Sequence, residues 1–186
     1  MDFSRISSGK NPPKEINVVI EVPMGATPVK YEADKASGAI IVDRFLTTAM
    51  FYPCNYGFIP HSLSGDGDPA DVLVITRFPV NSGAVIPARP IGVLLMEDES
   101  GQDEKILAVP AKKIDPYYAD IQSYKDLPKV FLAQISHFFE RYKDLEEGKW
   151  VKVKGWEDSS RAEELIIEAL RQESVSSMGK VKIPKA

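Results

Sequence analysis

The chain has 186 residues, 44% hydrophobic and 27% charged, with a formal net charge of −4. That is enough for one domain with a real core and ordinary for a soluble globular protein, and the negative balance argues against a tracker of nucleic-acid phosphates. One cysteine, Cys54, excludes an internal disulfide and fits a reducing compartment.

The start, Met1-Asp2-Phe3-Ser4-Arg5, has no apolar signal-peptide core, and no run approaches the ~20 apolar residues of a membrane helix. The expectation is a cytoplasmic, soluble protein that touches neither membrane nor nucleic acid. Residues 1–13 are polar and proline-containing and read as an arm leading into a single domain spanning 1–186. Ile16 to Val22 is a strand-like run with Glu21 at its end. Val29 to Glu32 and Ala39 to Phe45 read as two further strands joined by a turn at Lys35-Ala36-Ser37-Gly38. The stretch Phe51 to Pro60 is aromatic but broken by proline and glycine, so it reads as a packed loop or short strand. Val72 to Thr76 is a buried strand. From Val85 the β character continues; Ile91 to Met96 and Lys105 to Val109 flank an acidic turn and predict a hairpin.

Helices come late. Phe131, Ile135, Phe138 and Tyr142 recur at steps of four, three and four, which predicts one apolar face over Pro128 to Lys143. Trp150 to Val153 is a brief strand. Ser160-Arg161-Ala162-Glu163 is a capping-box pattern opening a helix with Ala162, Leu165, Ile166, Ala169 and Leu170 facing inward. From Ser174 onward a flexible tail is expected. The first 110 residues lack strand–helix alternation, which argues against a doubly wound sheet. The fold class is mainly β with flanking helices, built on a small closed or Greek-key barrel.

The densest chemistry is Asp66-Gly67-Asp68-Pro69-Ala70-Asp71, followed by Val72-Leu73-Val74-Ile75. Gly67 and Pro69 prevent a regular helix, so the acids belong to a turn feeding a strand. A solvated Asp-Gly turn is the bland alternative. Three carboxylates crowding one strand end repel one another, however, and call for a cation; hard oxygen ligands suit Mg²⁺, Mn²⁺ or Ca²⁺. An EF-hand fails, because Asp71 stands where the loop needs Gly and Arg77 where it needs Glu. Asp98 and Asp103 in the acidic hairpin turn could complete a multi-metal site. Lys30, Arg44, Lys105 and Lys143 read singly as surface charges. His61 and His137, the only histidines, are too few for a histidine-rich metal site.

Taken together, these motifs resemble the soluble family I inorganic pyrophosphatases, closely the bacterial ones. The resemblance rests on Asp66 through Val72 and extends to Val19-Ile20-Glu21-Val22-Pro23, Val29-Lys30-Tyr31-Glu32, Asp43-Arg44, Tyr52 through Pro60, Asp98 through Lys105 and His137 through Leu145. It covers residues 8 to 170 or so, with the motifs in order. It implies an OB-like five-stranded barrel and Mg²⁺-dependent hydrolysis of pyrophosphate to two phosphates, with Mn²⁺ or Zn²⁺ as substitutes. It also implies that Asp66, Asp71 and Asp103 hold activating metals, Asp71 bridging two of them. Asp98 joins Asp103 on a metal arriving with substrate, and Glu21 supports another. Asp68 corresponds to the general base, with Tyr56 beside it. Lys30, Arg44, Tyr56, Tyr142 and Lys143 correspond to the phosphate clamp, with Lys105 and Tyr52 in the same pocket.

The chain departs from the family pattern in three places. Ala70 is smaller than the aliphatic residue common there. Arg141 stands one helical turn beyond His137, where bacterial hexamers commonly carry a histidine that helps join trimers. The tail beyond Ser174 exceeds the family core. A homohexamer is the expected assembly. Two other classes fit parts of the sequence: a nucleotide-sugar transferase using Asp66-Gly67-Asp68 as an Asp-x-Asp pattern, and an OB-type binding module. The first predicts an α/β fold, the second a basic aromatic strand face.

Overall fold

A computed structural model describes residues 2–34 and 36–179. Among these residues eight strands and two α-helices follow in order: β1 (Ile16–Val22), β2 (Val29–Asp34), β3 (Ala39–Phe45), β4 (Asn55–Phe58), β5 (Asp71–Val74), β6 (Val85–Asp98), β7 (Gly101–Pro110), α1 (Lys129–Arg141), β8 (Val151–Asp158) and α2 (Ser159–Gly179). Five strands close a ring in the order β1-β4-β5-β7-β6 and back to β1, with β8 added on β6. All ring pairs are antiparallel except β5–β7. This is the OB-like five-stranded barrel expected from the sequence.

Closure depends on β6. Its register shifts between Pro90 and Gly92, and this bulge lets one strand serve several partners. Val85–Ala88 pairs with β1, and the remainder pairs with β7 and β8. The central runs Val72-Leu73-Val74 and Ile106-Leu107-Ala108-Val109 are continuously apolar because both faces of these strands are covered. Leu73, Leu107 and Val109 join a core with Ile135, Phe138, Phe139 and Tyr142 of α1. Val72, Val74, Ile106 and Ala108 face the other way, into a core completed by Ala162, Ile166 and Ala169 of α2. Leu165 and Leu170 pack against that second core partly buried, so the predicted inward face holds.

β1 and β4 touch backbone to backbone at Gly57, where a Cβ would lie 2.0 Å from the Val19 carbonyl oxygen. Only glycine fits there. Buried Asn55 ties the surrounding loops: its Oδ1 accepts from the amides of Met24 (3.0 Å) and Val80 (2.8 Å). Its Nδ2 donates to the Val74 carbonyl (3.1 Å) and Thr76 Oγ1 (2.6 Å). β2 and β3 form a separate two-stranded hairpin outside the ring. The predicted turn between them includes Lys35, which lies outside the described residues. On its two sides, Asp34 accepts from the amides of Ala36 and Ser37, and Gly38 adopts a positive φ of 70°.

Several boundaries differ from the expectation. The polar N-terminal segment is anchored, because Phe3 is buried edge-on against Phe58 in a small core with Val19. β8 extends to Asp158, so Ser160 lies inside α2 rather than capping it. α2 continues past Ser174, where a flexible tail is expected, to Gly179, with Ser174 Oγ bonded to the Leu170 carbonyl and Ser177 Oγ to Glu173. Residues 180–186 lie outside the described residues.

Candidate active site

One cavity of about 310 Å³ opens where the ends of β5 and β7 meet the β2–β3 hairpin and the start of the α1–β8 connection. Its lining includes eight carboxylates, Glu21, Glu32, Asp66, Asp68, Asp71, Asp98, Glu99 and Asp103, and five cations, Lys30, Arg44, Lys105, Lys143 and Lys149. Tyr56 and Tyr142 line it as well. Every site residue predicted from the sequence is there except Tyr52. That ring is buried behind the wall, 5.7 Å from Tyr56 and 4.9 Å from Phe138.

Strand register assembles the deepest part. Asp71, the first residue of β5, lies opposite Lys105 on parallel β7. Asp103 precedes Lys105 by two, so both side chains leave β7 on one face. The Lys105 ammonium, almost fully buried, donates to both Asp71 and Asp103. Burial alone would lower the Lys105 pKa, but the two carboxylates outweigh it and hold it well above the ordinary lysine value. Burial also pushes the Asp103 carboxyl above its ordinary value, against the pull of Lys105. Lys105 Nζ stands 5.7 Å from the Tyr56 ring centre.

Glu21 sits where the β1–β4 register shifts, and such a bulge re-aims a side chain. Its carboxylate accepts from the Ala33 amide at 2.7 Å, joining barrel to hairpin. Burial pushes its pKa up to about 8. On the hairpin, Lys30 and Arg44 are register partners. Lys30 pairs with Glu32 and, at 3.3 Å, with Asp43, which also accepts from Arg44 Nη1 at 2.8 Å. On the opposite wall Lys143 pairs with Asp98 at 2.7 Å. Burial works against the Asp98 anion, but hydrogen bonds from Lys143 and the Ser100 amide prevail and hold its pKa below the usual carboxylate value.

Asp66 and Asp68 contrast with this paired set. Both are exposed on the loop between β4 and β5 and make no ion pair among the described residues. The Asp68 amide donates to Asp66 Oδ1 at 3.0 Å. Water therefore answers part of the repulsion that the clustered sequence implied, and Lys105 answers the share of Asp71. Among the described residues no three of these acids converge on a single point.

Sequence reading gave no site role to Glu32, Asp43, Glu99, Glu146 or Lys149. Glu32 carried a signal, since it lies two residues from Lys30 and shares its strand face. Glu146 and Lys149 lie on an irregular connection, where spacing predicts no common face. Tyr142 belongs at once to the cavity wall and to the helix stripe, stacking on Phe138 at 5.3 Å.

The family model for inorganic pyrophosphatase matches residues 18–174. An inorganic pyrophosphatase from Agrobacterium fabrum is 59% identical over 172 residues, 92% of this chain and 97% of that protein. The crystal structure of an inorganic phosphatase from Anaplasma phagocytophilum superposes with a TM-score of 0.89 at 59% identity, covering 91% of this chain and 99% of the other. The inorganic pyrophosphatase of Thermus thermophilus gives a TM-score of 0.88 at 43% identity, covering 94% and 99%. With a fold and a sequence that agree along nearly its whole length, the chain belongs to the inorganic pyrophosphatase family and is an enzyme of it.

Proposed function

We propose that this enzyme hydrolyses inorganic pyrophosphate to two phosphates with several Mg²⁺ ions in one site. The observation that carries the reading is the charge balance of the cavity, eight carboxylates against five cations. Pyrophosphate is small, highly anionic and without an apolar part to grip, so catalysis must come from positioning and charge neutralisation. The cations suit its oxygens, but the excess of carboxylates would repel it unless further positive charge is present.

The donor set fits that requirement. It is all oxygen, as Mg²⁺ prefers, with Mn²⁺ or Zn²⁺ as substitutes. Glu21, whose pKa burial raises to about 8, is a carboxyl that a neighbouring cation would ionise. Asp66, Asp71 and Asp103 would hold the first ions, Asp71 being shared; Asp98 would join Asp103, and Glu21 would support a further ion. When bound, such ions neutralise phosphate charge and make a water more acidic.

The chain's own groups then divide the work. Asp68, exposed and without an ion pair among the described residues, takes the proton from the attacking water, with Tyr56 beside it. Lys30, Arg44, Lys143 and Tyr142 grip the phosphate oxygens. Lys105 keeps Asp71 and Asp103 together, and Tyr52 backs the Tyr56 ring. We further propose a cytoplasmic homohexamer of single-domain subunits, with pyrophosphate and phosphate as partners and neither nucleic acid nor membrane among them. On α1, His137 and Arg141 are exposed, and Val130 and Leu145 present bare apolar surface at either end, which suits a subunit contact. Light scattering in line with chromatography, read as six chains or fewer, checks that assembly.

Phosphate release from pyrophosphate, measured with and without Mg²⁺, tests the function. Turnover with Mg²⁺ is expected. Ca²⁺ should bind but inhibit, because it accepts longer bonds and looser geometry. No Mg²⁺-dependent release would overturn the reading.

A further inference from the structure

We infer that Glu146, which does not line the cavity, is a positioning residue that aims the Arg44 guanidinium at the bound anion. The inference rests on the anion-clamp reading above. Among the described residues, the two buried side-chain polar atoms that no hydrogen bond reaches are Arg44 Nε and Glu146 Oε1. They belong to the same two side chains, which meet through the other carboxylate oxygen: Glu146 Oε2 lies 3.5 Å from Arg44 Nε. Buried polar atoms are rarely left open, and two on one pair of oppositely charged side chains need an explanation.

The surroundings supply it. Arg44 comes from the β2–β3 hairpin, outside the barrel ring. Glu146 comes from the α1–β8 connection, a different element from the hairpin. Backbone turns hold it in place: its amide donates to the Lys143 carbonyl at 2.9 Å, and its carbonyl accepts from the Lys149 amide at 3.2 Å. Its carboxylate also lies 3.8 Å from Lys149 Nζ, so it backs two cations that face the cavity.

A guanidinium is a rigid planar fork. With Nη1 on Asp43 and a carboxylate behind Nε, the fork has a single direction in which to offer its remaining donors. An anion drawing Arg44 inward toward the Lys143 wall brings the hairpin to the α1–β8 connection. Shortening the 3.5 Å contact to the ~2.8 Å of a charge-assisted hydrogen bond then satisfies the open Arg44 Nε. The contact is a clasp completed by substrate.

The test is steady-state kinetics with Mg²⁺ and pyrophosphate on the full chain, for Glu146→Ala, Glu146→Gln, Arg44→Ala and the Arg44→Ala/Glu146→Ala double variant. Glu146→Ala should raise KM about tenfold, the scale of one lost charge-assisted bond, with kcat changed much less. Glu146→Gln, which keeps an acceptor but no charge, should recover part of the loss and serves if the alanine variant fails to fold. In the Arg44→Ala background, Glu146→Ala should add much less, only what passes through Lys149. An equal KM increase in both backgrounds, or a loss confined to kcat, overturns the inference. Calorimetric binding of inorganic phosphate with Mg²⁺ reads the same coupling without turnover. Wild-type protein that binds phosphate with this coupling but releases none from pyrophosphate would sink the hydrolysis reading and leave the clasp standing.

Discussion

Asp71 and Asp68 lie three residues apart and are physically unlike. Asp71 opens β5, in register with Lys105, and shares that buried ammonium with Asp103. Asp68 sits on the loop just before, exposed and unpaired among the described residues. One carboxylate is held by strand register and a counterion; the other meets solvent. The point where β5 begins thus splits one acidic motif into a held group and a free group. A held carboxylate can fix a cation's position, whereas a free one next to water can accept and release a proton.

The strongest way to break that comparison is to make the two positions behave alike. Asp71→Asn should abolish turnover and tight metal binding together, because a neutral amide is a poor partner for Mg²⁺ and leaves Lys105 short of one carboxylate. Asp68→Asn keeps the shape but cannot take a proton. It should lower kcat by ~10²–10⁴-fold while tight metal binding survives. Metal titration by calorimetry beside turnover checks both. If Asp68→Asn loses the tight metals as Asp71→Asn does, Asp68 is a ligand and the division into held and free acids is wrong.

A smaller effect sharpens the held half. Lys105→Met removes the buried ammonium between Asp71 and Asp103. Breaking a buried ionic network on one side leaves uncompensated charge, so the metal-free variant should be about 3 kcal/mol less stable in urea unfolding. Saturating Mg²⁺ should narrow that gap by supplying charge to the same carboxylates. A metal-free variant as stable as the wild type would show that Lys105 is not their counterion.

Much of the barrel was legible because period and punctuation survive in the sequence. β1, β3 and the β6–β7 hairpin follow from β-rich runs between Gly and Pro turns, and α1 from its apolar steps. What was hidden depended on distance along the chain. Nothing local says that Lys105 meets Asp71, 34 residues earlier, since parallel register is set by the closed ring. β6 contains Pro87 and Pro90, which disguise one bent strand of 14 residues. The last turns of α2 were obscured by Ser174, Ser176 and Ser177, poor helix formers whose hydroxyls in two cases bond back onto the helix. The acids of the cavity were visible as a motif, whereas Glu146 was not, because its partners lie on two elements with no shared periodicity.

The smallest expected effect tests what holds the free half. Ser62 is 3% exposed and bridges the two ends of the loop that carries Asp66 and Asp68. Its Oγ donates to the Ile59 carbonyl at 2.7 Å and accepts from the Ala70 amide at 2.9 Å. The Ile59 amide closes the same gap onto the Ala70 carbonyl at 3.0 Å, and the Leu63 amide ties the loop to Ala169 of α2 at 2.9 Å. Ser62→Ala therefore leaves one buried amide without its acceptor but does not release the loop. The loss should be ~1–2 kcal/mol in urea unfolding, the usual cost of an orphaned buried donor. Asp71 should be unaffected, because strand register rather than Ser62 places it, so tight metal binding should weaken only through Asp66 and far less than in Asp71→Asn. Asp68 rides on the loosened segment, so kcat should fall, though by less than tenfold, since the carboxylate itself remains. A fall as deep as that of Asp68→Asn would mean that the loop holds its acid as strictly as the strand holds Asp71.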